Sequence, residues 1–265
     1  MVILITGISS GFGLATAQLL AKEGHTVYGT TRRDVEPLPG VHYLKVDVRD
    51  REAVKDVVKQ VVDQEGRIDV LVNNAGMGIG GPVEFATEVE IHEQMDTNFM
   101  GLVHFVDAML PYMRAQGSGK IIAISSIGGL MGLPFQSFYS ASKFAIEGYC
   151  EALRLETKQH GIKVVVMRPG DFATGFTASR KKAVNVEACQ VYKTYAESMA
   201  KVEQDETSGL KPQVLARKIS QIIRKKDPRN GYVVASFEQR LSVFLKRILP
   251  AKWFAGILGQ YYRLN

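Results

Sequence analysis

The 265-residue chain predicts an α/β fold: one doubly wound parallel sheet of about seven strands, helices on both faces, and a C-terminal helical extension. Three observations predict it. Short β-branched apolar runs alternate with longer amphipathic stretches, the order that a parallel sheet with right-handed crossover helices requires. Several runs are nearly continuous in Val, Ile and Leu, as strands covered on both faces are. A glycine-rich turn stands between the first run and the first helical pattern, at the strand end where such sheets take ligands.

The strand candidates are residues 2–6, 26–31, 41–46, 69–73, 120–125, 163–168 and 231–235. Helical patterns occupy 11–23, 51–65, 88–114, 137–160 and 212–225. The stretch 171–209 is longer than one crossover helix needs, and long connections in compact domains are commonly lids. We read it as a substrate-covering segment, with helix-compatible sequence around 186–203. Residues 1–236 then form the catalytic domain, and 237–265 a basic amphipathic extension.

Composition narrows the functional classes. At 46% hydrophobic and 23% charged, the chain has the make-up of a globular protein. Two cysteines, Cys150 and Cys189, make no disulfide framework. His25, His42, His92, His104 and His160 stand singly, so no metal site is expected. The opening apolar run is too short for a signal peptide, and no 18-residue apolar stretch occurs, so a cytoplasmic protein is expected. The net charge of +6 is uneven. From Lys211 onward twelve Lys and Arg face Asp227 and Glu238, a local +10 that leaves the remainder at −4. No nucleic-acid motif accompanies that basic stretch, so nucleic acid is not an expected partner.

The turn after the first strand reads Thr6-Gly7-Ile8-Ser9-Ser10-Gly11-Phe12-Gly13. Glycines let backbone approach a pyrophosphate, whose charge meets free N–H groups at the helix start. The second strand ends Thr30-Thr31-Arg32-Arg33, with no carboxylate where an NAD ribose would be held. Two guanidiniums suit a 2′-phosphate instead. NADP(H) is therefore the preferred cofactor, with NAD(H) the second choice.

Tyr139 and Lys143 stand at i and i+4, on one helix face. A phenol titrates near 10 in water, and an ammonium beside it is expected to lower that value and make it a usable acid/base. Alone, the pair is a weak signal. Ser126 at the end of the fifth strand, Asn73-Asn74-Ala75-Gly76 at the end of the fourth and Asn98 in a helical pattern give it company.

With these residues the chain resembles the short-chain dehydrogenase/reductase family, whose fold is Rossmann-type. The match rests on Thr6 to Gly13, Asp47, Asn73 to Gly76, Asn98, Ser126, Tyr139, Lys143, Pro169, Gly170 and Thr174. The resemblance implies that Tyr139 exchanges a proton with the carbonyl oxygen as hydride moves. Lys143 would lower the Tyr139 pKa and hold the nicotinamide ribose, Ser126 would bind the substrate oxygen, and Asn98 would keep a relay water. Gly7, Ser9, Ser10, Gly11, Phe12 and Gly13 would hold the pyrophosphate. Asp47 with Val48 would contact adenine, Asn74 with Ala75 and Gly76 the ribose side, and Thr174 with Pro169 and Gly170 the nicotinamide.

Past residue 236, Phe237, Leu241, Phe244, Leu245, Ile248 and Leu249 share one helical face, with Arg240, Lys246 and Arg247 off it. After Pro250 a second stripe follows at Trp253, Phe254, Ile257, Leu258, Tyr261 and Tyr262. Two helices packed on the domain satisfy this pattern. So does a basic amphipathic element on a membrane surface or over an apolar substrate entrance, or a partner-binding helix. Such extensions resemble those of hydroxysteroid and retinol dehydrogenases, implying a lipophilic ketone, aldehyde or alcohol substrate. A 3-oxoacyl-carrier-protein-type reductase and a non-catalytic NADP(H) sensor are the alternatives. Apolar excess on 88–114 and 137–160, such as Phe105, Met109, Phe144 and Tyr149, points to a homodimer or homotetramer.

Overall fold

The computed structural model describes residues 1–185 and 191–264. Seven strands form one parallel sheet: β1 (Val2–Ile5), β2 (Thr26–Thr31), β3 (Val41–Lys45), β4 (Val70–Asn73), β6 (Gly119–Ile124), β7 (Ile162–Pro169) and β9 (Gly231–Val234). Their order is β3-β2-β1-β4-β6-β7-β9, and every neighbouring pair runs parallel. The chain winds outward in both directions from β1, which leaves a crevice at the carboxyl ends of β1 and β4.

Alternation along the strands explains the two-sided core. Leu4, Ile121, Ala123, Val164 and Val166 face one layer, and Ile3, Ile5, Ile122, Ile124 and Val165 the other. Helices α2 (Arg51–Glu65), α4 (Gly101–Gln116) and α5 (Ser137–Thr157) cover the first face through Val54, Val58, Phe105, Met109, Ile146 and Leu153. Helices α1 (Gly11–Lys22) and α8 (Pro212–Arg224) cover the second through Ala17, Leu20, Leu215, Ile219 and Ile222. Local chemistry sets the ends. Asp50 caps α2 by accepting from Glu52 and Ala53 N–H, both at 3.1 Å, and left-handed Gly66 stops it.

Three departures from the sequence pattern matter. The single helix expected over 88–114 is α3 (Glu88–Met95) and α4 joined by a π-helical turn, Asp96–Met100. Apolar periodicity does not register one inserted residue, and such bulges favour functional positions. Two short strands, β5 (Ile79–Gly80) and β8 (Lys181–Lys182), pair with each other and pin the covering segment to the domain. Two residues carry no periodicity to detect. Within 171–209 the structure has α6 (Phe176–Ser179) and α7 (Tyr195–Thr207). Of the helix-compatible stretch 186–203, residues 186–190, with Cys189, lie outside the described residues; 195–203 are helical, and α7 continues to Thr207.

At the C-terminal end, Ser236 and Gln239 close a capping box on α9 (Phe237–Ile248), and α10 (Ala251–Tyr261) follows Pro250. Only Phe254 is fully buried in this pair. Phe237, Leu241, Phe244, Ile248, Trp253, Ile257 and Tyr261 remain exposed, Phe237 to 72% and Trp253 to 67%. That is a weaker fit to two packed helices than to a covered or docking element. Among the described residues no helix is long and apolar enough to cross a membrane.

Candidate active site

A cavity of about 920 Å³ opens over the carboxyl ends of the central strands. One end lies over the glycine turn. Gly7 and Gly11 sit at φ +70° and +56°, which side-chain-bearing residues rarely adopt. A Cβ on Gly13 would lie 2.1 Å from the Gly7 carbonyl oxygen and 2.7 Å from the Asn74 Nδ2. Ser10, the N-cap of α1, makes no side-chain capping bond, and no acid occupies the first turn. The first-turn N–H groups are left for an anion. A dinucleotide phosphate fits this cradle. Gly13→Ala should weaken NADPH binding about 10- to 100-fold, the 1–3 kcal/mol of an overpacked site, in a direct fluorescence titration.

The β4 loop supports that cradle. Thr6 Oγ1 accepts from Asn74 N and Ala75 N at 2.9 Å each. Asn74 Nδ2 donates to the Thr6 and Gly7 carbonyls at 2.9 and 3.0 Å. The Asn74 amide thus braces the loop, where a ribose contact was expected of it.

Gly7, Ser9, Ser10, Gly11, Phe12, Arg32, Arg33, Val48, Asn74, Ala75, Gly76, Ser126, Tyr139, Lys143, Pro169, Gly170 and Thr174 all line the cavity. Gly13, Asp47 and Asn98 stand behind its wall. Asp47 grips Arg49, whose Nη2 donates at 2.6 Å, and Arg32 Nη1 lies 3.8 Å away. The Arg49 hydrogen bond holds the Asp47 carboxyl below its usual range, and the charges of Arg49 and Arg32 add to it. Asp47 therefore orients guanidiniums near the expected adenine end.

The reacting centre is assembled from β6, α5 and the π turn. Ser126, just past β6, accepts from Gly128 N–H at 3.0 Å, and its hydroxyl also hydrogen-bonds the Tyr139 phenol. Lys143 is 5% exposed, and its Nζ donates to the Ile124 carbonyl at 2.8 Å. It lies 5.7 Å from the centre of the Tyr139 ring, one helical turn away. Asn98 uses its whole amide: Oδ1 accepts from Met77 N at 2.8 Å, and Nδ2 donates to Met77 O and Ser142 Oγ, both at 3.0 Å. A Cβ on Gly76 would meet Asn98 Oδ1 at 3.4 Å and Lys143 Nζ at 3.8 Å, which places Gly76 at the junction of these two side chains. With both Nδ2 hydrogens engaged, only Oδ1 has capacity left for a relay water.

One electrostatic expectation is corrected. Burial pushes the Tyr139 phenol up to about 12, and the neighbouring Ser126 only partly offsets this. Burial likewise brings Lys143 down to about 8. In the chain itself desolvation outweighs the ammonium, and the cation that acts to lower the Tyr139 value is Arg180. The phenol is held as a proton donor.

Arg180, Asp171 and Glu206 were missed by sequence reading. Asp171 follows Pro169-Gly170, and burial, with the charges of Glu206 and Asp205, raises its carboxyl to about 6. Arg180 pairs with Glu206 and lies over the Phe176 ring, which in turn tilts against Tyr139. Only the fold brings them together, so no spacing could have flagged them. Among the described residues no group of three His, Cys, Asp or Glu side chains could hold a metal ion.

Comparison with known proteins agrees with this geometry. A family profile described as short chain dehydrogenase matches residues 1–185. The chain is 47% identical over 265 residues to a 3-ketodihydrosphingosine reductase of Bacteroides thetaiotaomicron, covering 100% of this chain and 98% of that one. It is 40% identical over 191 residues to the Homo sapiens 17-beta-hydroxysteroid dehydrogenase type 1, 66% of this chain and 58% of the relative. A solved short-chain dehydrogenase from Streptomyces avermitilis superposes with a TM-score of 0.81 at 30% identity, covering 99% of this chain and 97% of that one. Fold and site together define an NAD(P)-binding oxidoreductase of ketone and alcohol groups. The chain belongs to the short-chain dehydrogenase/reductase family.

Proposed function

We propose that the chain reduces the ketone of a lipophilic, long-chain substrate of the sphingoid-base type, with NADPH as hydride donor. The observation that carries the reading is one continuous cavity. It runs from the glycine cradle past Tyr139 to an apolar mouth formed by Leu241, Leu245, Ile257 and Leu258 of α9 and α10. Similarity to the Bacteroides reductase over the full chain, those two helices included, supports a long-chain substrate.

When bound, the reduced nicotinamide supplies the hydride. Tyr139 gives its proton to the ketone oxygen. Ser126 donates a hydrogen bond to the same oxygen. Lys143 would hold the nicotinamide ribose, and Asn98 fixes the Met77 loop and Ser142 beside it. Arg32 and Arg33, lining the cavity past β2, meet the 2′-phosphate. Removing both, in Arg32→Ala/Arg33→Ala, should cut the NADPH-over-NADH preference in kcat/KM at least ~10-fold, since each charge-assisted bond contributes roughly 1.5–3 kcal/mol. Reduction of long-chain ketones across a panel that includes steroid and small polar ketones tests the substrate class. Activity on the polar ones alone would contradict it.

The exposed apolar stripe of α9 and α10, flanked by Arg240, Lys246, Arg247 and Lys252, suits shallow seating on an anionic bilayer, through which such a substrate would arrive. The full chain should float with vesicles containing anionic lipid. Phe237→Ser/Phe244→Ser/Trp253→Ser, altering exposed positions only, should abolish flotation with the fold intact by circular dichroism. Of the residues expected at an oligomer face, Phe105 and Met109 are buried in the core and Tyr149 packs against it; Phe144, with Met100 and Leu155, is exposed and favours a homodimer through that layer.

A further inference from the structure

We propose that Asp171 is a specificity residue that pairs with a protonated amine carried close to the substrate ketone. The proposal rests on the long-chain ketone reading and adds a charge to it.

The charged residues of the lining are Arg32 and Arg33 at the cradle, Lys143 beside Tyr139, Glu93 with its partner Lys181, and Asp171, Asp205, Glu206 and Glu238. Of Asp171, Asp205 and Glu206, two already have cations. Arg180 serves Glu206 and Lys201 serves Asp205, and both cations stand outside the lining. Asp171 differs. Among the described residues no Lys, Arg or His lies within ion-pair distance of it, and its side chain meets only Gln239 Nε2. A largely buried carboxylate with no directly paired cation is costly: burial and the charges of Glu206 and Asp205 raise its pKa, and Gln239 and the more distant Lys201 offset this only in part. A cationic ligand group would remove that cost.

Position fits the same reading. The carboxylate is fixed from three sides: its backbone carbonyl accepts from Leu210 N at 3.0 Å, its N–H donates to Gln239 Oε1 at 3.3 Å, and Gly209 packs on its main chain. The charges of Asp171 and Glu206 both act on the Tyr139 phenol, which places them within electrostatic reach of the carbonyl that Tyr139 protonates. Beyond Asp171 the lining turns apolar at Leu245, Phe254 and Leu258. The cavity therefore offers a proton donor for a ketone, an anion for an ammonium and an apolar wall for an alkyl chain. A sphingoid 3-ketone carries all three, its carbonyl flanked by the amine-bearing carbon on one side and the alkyl chain on the other.

The test compares octylamine with octanol, titrated calorimetrically into the NADP⁺-loaded protein at pH 7.5. The wild type should bind the amine at least ~10-fold more tightly, as a paired buried charge implies. Asp171→Asn, which keeps an acceptor for Gln239, should bind both alike, with octanol affinity unchanged. Equal wild-type affinities would overturn the proposal whether or not the variant folds, as would an amine preference that survives in Asp171→Asn. Turnover separates the two readings. A wild type that prefers the amine yet reduces no long-chain ketone upholds the ammonium site and refutes the substrate assignment. One that reduces amine-bearing and amine-free long-chain ketones with equal kcat/KM does the reverse.

Discussion

Tyr139→Phe is expected to lower the turnover of ketone reduction at least ~10³-fold, about 4 kcal/mol of barrier, while NADPH binding stays unchanged. Two features of the site lead to that split. The phenol lines the cavity beside Ser126, and burial raises its pKa, so it carries its proton at neutral pH. Its loss removes the donor and nothing else in the wall is a substitute. Ser126 still binds the carbonyl oxygen but is a far weaker acid, and Lys143 is tied to the Ile124 carbonyl. The cradle at Gly7, Gly11 and Gly13 is separate from the phenol, so cofactor affinity has no reason to move. Single-turnover kinetics with saturating NADPH reads the two effects independently. A variant that keeps near-wild-type turnover would remove Tyr139 from the chemistry.

Lys143→Met should cost at least ~10² in turnover and also weaken NADPH if, as proposed, one amine serves both the ribose and the proton path. It carries a second signature in stability. Burial depresses the Lys143 pKa from 10.5 to about 8, so the folded state holds its proton less tightly than the unfolded chain. Wild-type stability therefore gains a rising contribution as pH climbs from about 8 to 10.5, and the cost of the buried charge is in full force below 8. The Met variant lacks that cost and should be the more stable protein at pH 7, with a flatter profile between pH 8 and 10.5. Urea midpoints across that range, for both proteins, test it. Gain of stability with loss of turnover is the pattern of a group kept for function.

Much of this was legible before any coordinates. The seven strands and the crossover helices announce themselves through β-branched runs and amphipathic stripes, because burial on two faces leaves little else for those positions to be. The glycine turn and the Tyr139–Lys143 pair are local, so their chemistry survives in one dimension. What escaped was non-local or too short. Asp171 and Glu206 are 35 positions apart, and Arg180 lies between them in a segment with no strong period. The π turn at Asp96–Met100 adds one residue to a helical stripe without erasing it. The expectation for the Tyr139 pKa failed for a different reason. Residue spacing reports which charge is near, but not how much water burial has removed, and here desolvation is the larger effect. For Asn74 and Asn98 the sequence pointed to the right neighbourhood, but their Nδ2 donors are spent on Thr6, Gly7, Met77 and Ser142, which hold the site's shape.

The C-terminal helices link fold to substrate. α9 carries no fully buried side chain and α10 only Phe254, yet both contribute to the cavity wall. Their apolar residues divide between a lining, which Leu245 and Leu258 supply, and an outer stripe that stays exposed. A polar substrate needs neither half.

The account is tested most directly by following hydride itself. Wild-type protein is incubated with a long-chain amino ketone and NADPH deuterated at the transferable position of its nicotinamide, and the product is read by mass spectrometry. One deuterium on the carbinol carbon, absent in the Tyr139→Phe sample over the same interval, is the predicted result. Unlabelled alcohol, or label appearing equally with the Phe variant, would contradict it.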